Sequence, residues 1–231
     1  MDYIFESIKG AVKLIFPSPQ PEITHALFLS LVLSSAAAIL SSLVAIPAGI
    51  FISIKNFRFR RTLISFINAW VSVPSVAIGL IVYGILSRKG PLGEAGLLFT
   101  PSAVVIAQAI LSFPIILALV TSSLKKSALK TKELALSLGA SGFQTAIAIL
   151  MEYRYSIITA VIIGFSRIIG ETGMTLMVGG NIKGYTRVLT TTIALETVKG
   201  NFEVGLSAGF LLVAVALAIN IIIQKIPRVE G

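Results

Sequence analysis

The sequence predicts an all-α polytopic membrane protein with about five transmembrane helices. Of its 231 residues, 55% are hydrophobic and only 13% are charged, roughly half the charged fraction of an ordinary soluble domain. The mean hydropathy is +0.94, and the apolar residues are gathered into runs close to the ~20 residues that a helix needs to cross a bilayer. Composition and patterning together exclude a soluble protein.

The first predicted element is an N-terminal interfacial helix. Within residues 3–16, apolar side chains gather near one helical face and the charged ones lie elsewhere, which is typical of a helix that lies in the membrane interface. A cleaved signal peptide is not expected, because acidic and basic residues interrupt the apolar run. The proline-rich segment at residues 17–21 ends this helix, so residues 1–23 are interpreted as the interfacial helix and its link.

Five apolar runs follow, and each is long enough to cross a bilayer. The predicted spans are residues 24–54, 62–86, 101–124, 156–178 and 204–223. Pro47 and Pro114 are expected to kink the first and third spans, which membrane helices tolerate, and residues 73–75 interrupt the second. Because there is no internal repeat and no linker, residues 1–231 are predicted to form a single transmembrane domain.

Two basic loops determine the predicted orientation. Residues 55–61 contain Lys55, Arg58, Arg60 and Arg61, and the loop at residues 125–153 begins with lysines. Cytoplasmic loops collect Lys and Arg. We therefore expect both loops and the C-terminus on the cytoplasmic side of the plasma membrane, and the N-terminus on the outer side. The net charge of +9 is then explained by topology and by membrane lipid with anionic headgroups. No nucleic-acid partner is expected.

The loop at residues 125–153 is the one long amphipathic segment between apolar runs. Its four lysines are Lys125, Lys126, Lys130 and Lys132. Leu134, Leu138 and Phe143 can line one side of a short helix, and Gly139 allows the backbone to turn or to approach another surface closely. Such a helix suits a socket on a cytoplasmic partner, whereas an ordinary solvated helix is the more common use of a basic amphipathic segment.

A spaced motif within this loop favours the first interpretation. Glu133–Ala135 is followed, after three residues, by Gly139 and, after nine more, by Ile149. This spacing resembles the coupling-loop signature of ATP-binding-cassette (ABC) import permeases, which is Glu-Ala-Ala, three residues, Gly, nine residues, Ile-x-Leu-Pro. Leu134 replaces the first alanine, and residues 151–152 lack the Leu-Pro ending. By this resemblance the ATPase-coupling residues are Glu133, Ala135, Leu138, Gly139, Ala140 and Ile149.

The resemblance extends over roughly residues 24–224, and residues 73–79 look like a stretch of the molybdate and tungstate permeases. The segments most similar to tungstate-type permeases are residues 170–173, 177–181 and 186–191. The resemblance implies a homodimer that passes an oxyanion, above all tungstate, by alternating access at the dimer interface. It also implies two cytoplasmic ABC ATP-binding subunits and an extracytoplasmic oxyanion-binding protein as partners.

The chain is not expected to be an enzyme or to hold a cofactor of its own. It lacks the Gly-x-x-x-x-Gly-Lys-Ser/Thr loop that cradles nucleotide phosphates, so ATP and Mg²⁺ are assigned to the partner ATPase. With one histidine and no cysteine, neither a catalytic cluster nor a metal site is predicted.

Seven residues are candidates for the translocation pathway or its gate. Pro74 and Ser75 mark either a broken helix whose free backbone N–H groups line the pathway or a plain packed kink. Arg167 and Glu171 share a helix face, which favours a structural or gating ion pair, and the alternative is that Arg167 assists an anion across the midplane. Neutral donors near the outer mouth suit brief oxyanion contacts or ordinary capping: Asn181, Thr190 and Thr191.

Two other functions stay open from the sequence. The same architecture can serve molybdate or another solute, such as phosphate or methionine, with a different pathway lining. A stand-alone secondary transporter would show inverted repeats or buried ion-coupling carboxylates in both halves, and the sequence shows neither.

Overall fold

The structure, a computed structural model, describes residues 9–10, 13, 20–124 and 128–227. Those residues form α-helices joined by short connections, with one 3-10 turn at Gly93–Ala95 and no strand, which confirms the all-α prediction. The predicted interfacial helix and its proline link lie largely outside the described residues, and so do Lys125 and Lys126.

The helices follow one another in the order of the apolar runs. They are α1 Pro21–Ile54, α2 Arg60–Val71, α3 Ser75–Leu86, α4 Pro101–Leu124, α5 Ala128–Ser137, α6 Gly142–Glu152, α7 Arg154–Ile169, α8 Gly173–Gly179, α9 Leu189–Val198 and α10 Phe202–Lys225. By length and composition, α1, α4 and α10 can each cross a membrane alone. Two bent pairs, α2 with α3 and α6 with α7, also qualify, which gives up to five crossings, the number predicted.

The first, third and fifth spans agree with the predicted boundaries to within three residues. Helix α1 starts with Pro21 at its first turn, where the missing N–H costs no hydrogen bond and the fixed φ already suits a helix. Pro47 and Pro114 both lie inside continuous helices. Long apolar runs therefore locate these three helices directly.

The second span is interrupted where the sequence predicts. Helix α2 ends at Val71, and Pro74 precedes the first residue of α3 with an extended backbone, φ −59° and ψ 129°. A proline disfavours helical geometry in the residue before it, so the chain leaves the helix here. The bend between α2 and α3 is 95°, and the two halves run almost perpendicular to each other.

The fourth predicted span, residues 156–178, is wrong as a single helix. Helix α7 ends at Ile169, residues 170–172 are not helical, and α8 begins at Gly173. Glycines on both sides of the break weaken the helix, and the Glu171 carboxylate accepts a hydrogen bond from the Met174 N–H, 3.4 Å, at the start of α8. The bent pair that qualifies as a span is instead α6 with α7, bent by 72°.

Three apolar clusters hold the helices together. The first joins α1, α3, α4 and α8, and the second joins the end of α1 to α4 and to the α6–α7 bend. A smaller third cluster packs the start of α1 against α9 and α10. Fully buried members of the three clusters include Val104, Met174, Ile116, Ile149 and Leu189. Helix α1 contributes to all three clusters and so extends along the whole bundle.

Candidate functional site

The loop at residues 125–153, which we call the docking loop, contains two helices, α5 and α6, and not the one short helix predicted. Helix α5 ends in a turn at Gly139, whose φ of +81° is left-handed, a conformation that glycine adopts without the penalty of a side chain. The Gly139 N–H donates to the Leu136 carbonyl and the Ala140 N–H to the Ala135 carbonyl, both at 3.0 Å, so the turn satisfies carbonyls at the helix end.

Helix α6 begins with a complete capping box. The Gln144 N–H donates to Ser141 Oγ at 3.3 Å, and the Ser141 N–H donates to Gln144 Oε1 at 2.8 Å. This reciprocal pair satisfies two backbone donors at the helix start. The end of α5 and the start of α6 are therefore both fixed by neighbours in sequence.

The two faces of α5 differ in what they contact. Ala128 is fully buried, and Thr131, Lys132 and Ala135, which follow at helical spacing, are half-buried. We call these four residues the inward face of α5. The remaining side chains of α5 are exposed, and Glu133 is among them.

A cluster of exposed apolar side chains covers the outer surface of α5 and α6. Leu138 is 79% exposed and Phe143 is 77% exposed. The further members of this surface are Leu134, Leu136, Ile147 and Met151. Clustered apolar side chains that the rest of the chain leaves uncovered mark surfaces for another protein or for the membrane. We call this cluster the docking surface.

The six predicted coupling residues occupy different environments in the loop. Glu133, Leu138 and Gly139 are exposed, whereas Ala135 and Ala140 are half-buried. Ile149 is fully buried in the second apolar cluster. The motif thus combines an exposed helix and turn with one buried anchor.

The interruptions at residues 72–74 and 170–172 lie side by side. A Cβ placed on Gly79 would stand 3.0 Å from the Met174 Cα, and one placed on Gly173 would stand 3.0 Å from Val76 Cγ2. Helices α3 and α8 therefore cross at close range, just after the point where each begins. Pro74 is exposed and Ser75 is half-buried, and no side chain caps the start of α3.

The intramembrane charges form an ion pair across the end of α7. Arg167 Nη1 lies 3.0 Å from Glu171 Oε2, with side chains 45% and 8% exposed respectively. The other carboxylate oxygen accepts from the Met174 N–H, and the Glu171 carbonyl accepts from Thr190 Oγ1 at 3.0 Å. Glu171 thereby links α7, α8 and α9.

The neutral donors near the predicted outer mouth are turned toward the backbone. Thr190 and Thr191 are buried, and Thr191 Oγ1 both donates to the Val188 carbonyl and accepts from the Val188 N–H, each at 3.0 Å. Asn181 has a φ of +51°, and its carbonyl accepts from Arg187 Nη2 at 3.4 Å. Thus the structure brings Thr190 to Glu171 and places Asn181 beside Arg187.

Two polar residues were missed by the sequence analysis. Gln108 is buried within α4, and its Nε2 donates to the Ile168 carbonyl near the end of α7 at 3.5 Å. Glu196 is buried in α9. The pKa of its carboxyl is held below the usual value, chiefly by the hydrogen bond from the Asn201 amide and secondly by the one from Lys199. The sequence feature that could have identified Gln108 is its polar amide side chain within an otherwise apolar run.

Comparison with known proteins gives a family and several relatives. The family model described as "Binding-protein-dependent transport system inner membrane component" matches residues 45–228. A tungstate uptake system permease protein of Peptoclostridium acidaminophilum is 40% identical over 226 residues, which cover 98% of this chain and 99% of the relative. A tungstate uptake system permease protein of Campylobacter jejuni is 36% identical over 228 residues, 99% and 95% of the two chains.

A third relative has a broader description. It is described as a probable anion ABC transporter permease protein of Haloferax volcanii and is 36% identical over 196 residues, 83% of this chain and 84% of the relative.

Proposed function

The chain belongs to the family of binding-protein-dependent transport system inner membrane components, and we propose that it is the permease subunit of an ATP-driven tungstate importer. The observation that carries this proposal is the 36–40% identity to two tungstate uptake permeases over nearly the whole chain. The same architecture serving molybdate or another solute is the second candidate, since the motif in the docking loop is common to import permeases.

The multi-pass chain is proposed to lie with its N-terminus outside the cell and its C-terminus in the cytoplasm. Two contacts support this arrangement. Lys132 of the docking loop reaches the Ile54 carbonyl at the end of α1, so both basic loops lie at one end of the bundle. At the start of α1, His25 Nε2 lies 3.2 Å from the Gly184 carbonyl, so the segment after α8 lies at the opposite end of the bundle, which is the proposed outer end.

The docking surface is proposed to receive a cytoplasmic ABC ATP-binding subunit. Its apolar side chains suit a partner that removes them from water, and each buried methylene contributes about 0.8 kcal/mol. Because the chain lacks a phosphate-binding loop, ATP and Mg²⁺ are assigned to that partner and no cofactor to this chain. Residues 125–153 then form the cytoplasmic coupling loop of the single permease domain.

Two copies of the chain, two ATP-binding subunits and an extracytoplasmic oxyanion-binding protein form the proposed assembly. In the most apolar 18-residue stretch of α10, only 17% of the residues are buried within the chain, whereas 61% are buried in the corresponding stretch of α4. A single chain therefore leaves much apolar surface for lipid and for a second copy. A two-fold axis between copies would enclose the pathway.

In the proposed mechanism, closure of the ATP-binding subunits moves α5 and α6, and the spans switch between inward-open and outward-open states. The adjacent breaks at residues 72–74 and 170–172 are where the spans would bend. Glu171 is assigned a gating or structural role rather than a binding role, since its negative charge repels a dianion. Contacts with the anion should be weak, because the ion has to leave again.

Reconstitution tests this proposal. The chain, its co-purified ATP-binding partner and the binding protein are placed in vesicles, and tungstate uptake is measured with and without ATP inside. We expect ATP-dependent uptake that excess unlabelled tungstate abolishes and that molybdate, sulfate and phosphate reduce less. Stronger competition by molybdate would reassign the substrate. Uptake by the chain without an ATP-binding partner would indicate a stand-alone transporter.

A further inference from the structure

The inward face of α5 contains one charged residue, Lys132. Its Nζ donates to the carbonyl of Ile54, 3.0 Å away and 78 positions earlier in the chain. Ile54 is the last residue of α1, and a helix end leaves four carbonyls without intrahelical partners. The partial negative charge at a helix C-terminus favours a cation there, so this contact binds the docking loop to the end of the first span.

A second cation reinforces the same helix end from another element. Arg60 at the start of α2 donates from Nη2 to the Ser53 carbonyl at 3.2 Å and from Nη1 to Asn56 Oδ1 at 3.1 Å. Arg60 is close to α1 in sequence and follows it directly. Lys132 is the residue that links this end to the docking loop.

The docking loop is also tied to the α6–α7 bend. Thr131, next to Lys132, shares a 3.4 Å hydrogen bond with the hydroxyl of Tyr153, which lies between α6 and α7. Tyr153 packs in the second apolar cluster with Ile52 and Ile149. Helix α5 is thus held by polar contacts to two spans at adjacent positions on its inward face.

Helices α4 and α7 are joined directly to the docking loop by the chain, whereas helix α1 is not. The chain itself connects the loop to α4 on one side and to α7 on the other. The loop has no such direct connection to α1, so movement of α1 with the loop depends on non-covalent contacts, which are packing in the second apolar cluster and polar contacts. Among the residues that the structure describes, Lys132 to Ile54 is the hydrogen bond between α5 and α1.

The first half of α1 contacts α9, which belongs to the proposed outer segment, residues 180–201. The Leu189 N–H at the start of α9 donates to Ser30 Oγ at 2.9 Å, and Ser30 is buried. A continuous helix from Ser30 to Ile54 extends about 36 Å at 1.5 Å per residue. Helix α1 therefore connects the docking loop at one end to α9 at the other.

We propose that Lys132 is a positioning residue that makes the end of α1 move with the docking loop, so that α1 carries the movement to the outer segment. The inference rests on the proposed function, because the movement comes from the ATP-binding partner. In each transport cycle, α5 is displaced as a rigid body. The Lys132 contact holds Ile54 to it, and the hydrogen bond between Ser30 and Leu189 passes the movement of α1 to α9.

The first test compares three variants in the reconstituted complex. Lys132→Met keeps most of the side-chain volume and removes the charged donor, Lys132→Arg keeps a donor, and Lys130→Met removes a charge from the exposed face of the same helix. The readout is tungstate uptake per ATP hydrolysed, for complexes with the full content of ATP-binding partner. Loss of a charge-assisted hydrogen bond predicts a fall of about 5- to 10-fold for Lys132→Met.

In Lys132→Arg, the tungstate uptake per ATP hydrolysed should stay within about twofold of the native ratio, because an arginine can also donate to the carbonyls at a helix end. In Lys130→Met this ratio should equal that of the native chain. An unchanged ratio in Lys132→Met would overturn the inference. So would a ratio lowered equally by Lys130→Met. Failure of the proposed function is recognised separately, because the native complex would then show no ATP-dependent uptake.

A second measurement does not depend on the folding of Lys132→Met. The chain contains no cysteine, so cysteines introduced at Lys55 and Lys130 are the sole sites for spin labels. Labelled chains are diluted with unlabelled ones, and the distance between the labels is measured in the complex with and without trapped nucleotide. A constant distance supports joint movement of α1 and α5. A change of about one helical turn, 5.4 Å, would overturn it.

Discussion

The turn between α5 and α6 and the break between α7 and α8 both interrupt a helical run, but different forces hold them. At the first, Gly139 and the Ser141–Gln144 capping box satisfy the backbone with neighbours in sequence. At the second, Glu171 is held by Arg167 and by Thr190, nineteen positions away. Hence the exposed turn is a local structure, whereas the buried break depends on the assembled fold.

The largest change in the free energy of unfolding is expected at Glu171, in the buried break between α7 and α8. Glu171→Ala removes the acceptor of the Met174 N–H and the partner of Arg167. We expect a loss of about 2–3 kcal/mol in the free energy of unfolding, mostly from the buried cap, because an exposed arginine contributes little through its ion pair. Denaturant unfolding of the purified protein in detergent measures it. Glu94→Ala, at an exposed carboxylate outside the described ion pairs, is the matched control. Equal losses would contradict the assigned role of Glu171.

The next largest loss in the free energy of unfolding is expected at Thr190 of α9, whose hydroxyl donates to the Glu171 carbonyl at the break. Thr190→Val keeps the shape of the side chain but leaves the buried Glu171 carbonyl without its donor. A loss of about 1–2 kcal/mol follows, again from denaturant unfolding. Thr197→Val serves as the control, because that hydroxyl is exposed and donates to its own helix at the Ile193 carbonyl. If both valine variants behaved alike, the long-range contact would not be what holds the break.

At the exposed turn the expected change is smaller. Gly139→Ala strains a residue with φ +81° by about 1–2 kcal/mol, and nothing lies within 4 Å of the added Cβ. Gly142→Ala adds the same methyl into equally open space at the helical start of α6 and should be neutral or stabilising by less than about 1 kcal/mol. Circular-dichroism melting compares the two. Equal stability would show that the left-handed turn is not retained in solution.

The smallest change in the free energy of unfolding is expected on the docking surface. Leu138→Asp alters a side chain that is 79% exposed, so unfolding is expected within about 0.5 kcal/mol of the native chain. Co-purification of the ATP-binding partner should nevertheless be lost, since an apolar anchor becomes a charge. Val198→Asp, at a side chain that is 87% exposed near the proposed outer end, should keep the partner. Retention of the partner by Leu138→Asp would argue against this surface.

The same contrast explains what could be predicted from the sequence. Apolar run length located α1, α4 and α10, and Pro74 and Gly139 marked two interruptions through their own backbone preferences. The break at residues 170–172 was missed because apolar residues flank it on both sides in the sequence, and because the contact that stabilises it comes from Thr190, which is distant in the chain. Burial of the Thr190 and Thr191 hydroxyls against the backbone also depends on distant packing, which a threonine-rich segment does not reveal.

The length of α1 has one more consequence. Its 34 residues extend about 51 Å, whereas the hydrocarbon layer is about 30 Å thick. The helix must lean steeply or project into the headgroups, and the degree of lean depends on the thickness of the surrounding lipid. A thicker or thinner bilayer therefore changes the lean of this helix, and with it the positions of the docking loop and of α9 relative to the membrane surface.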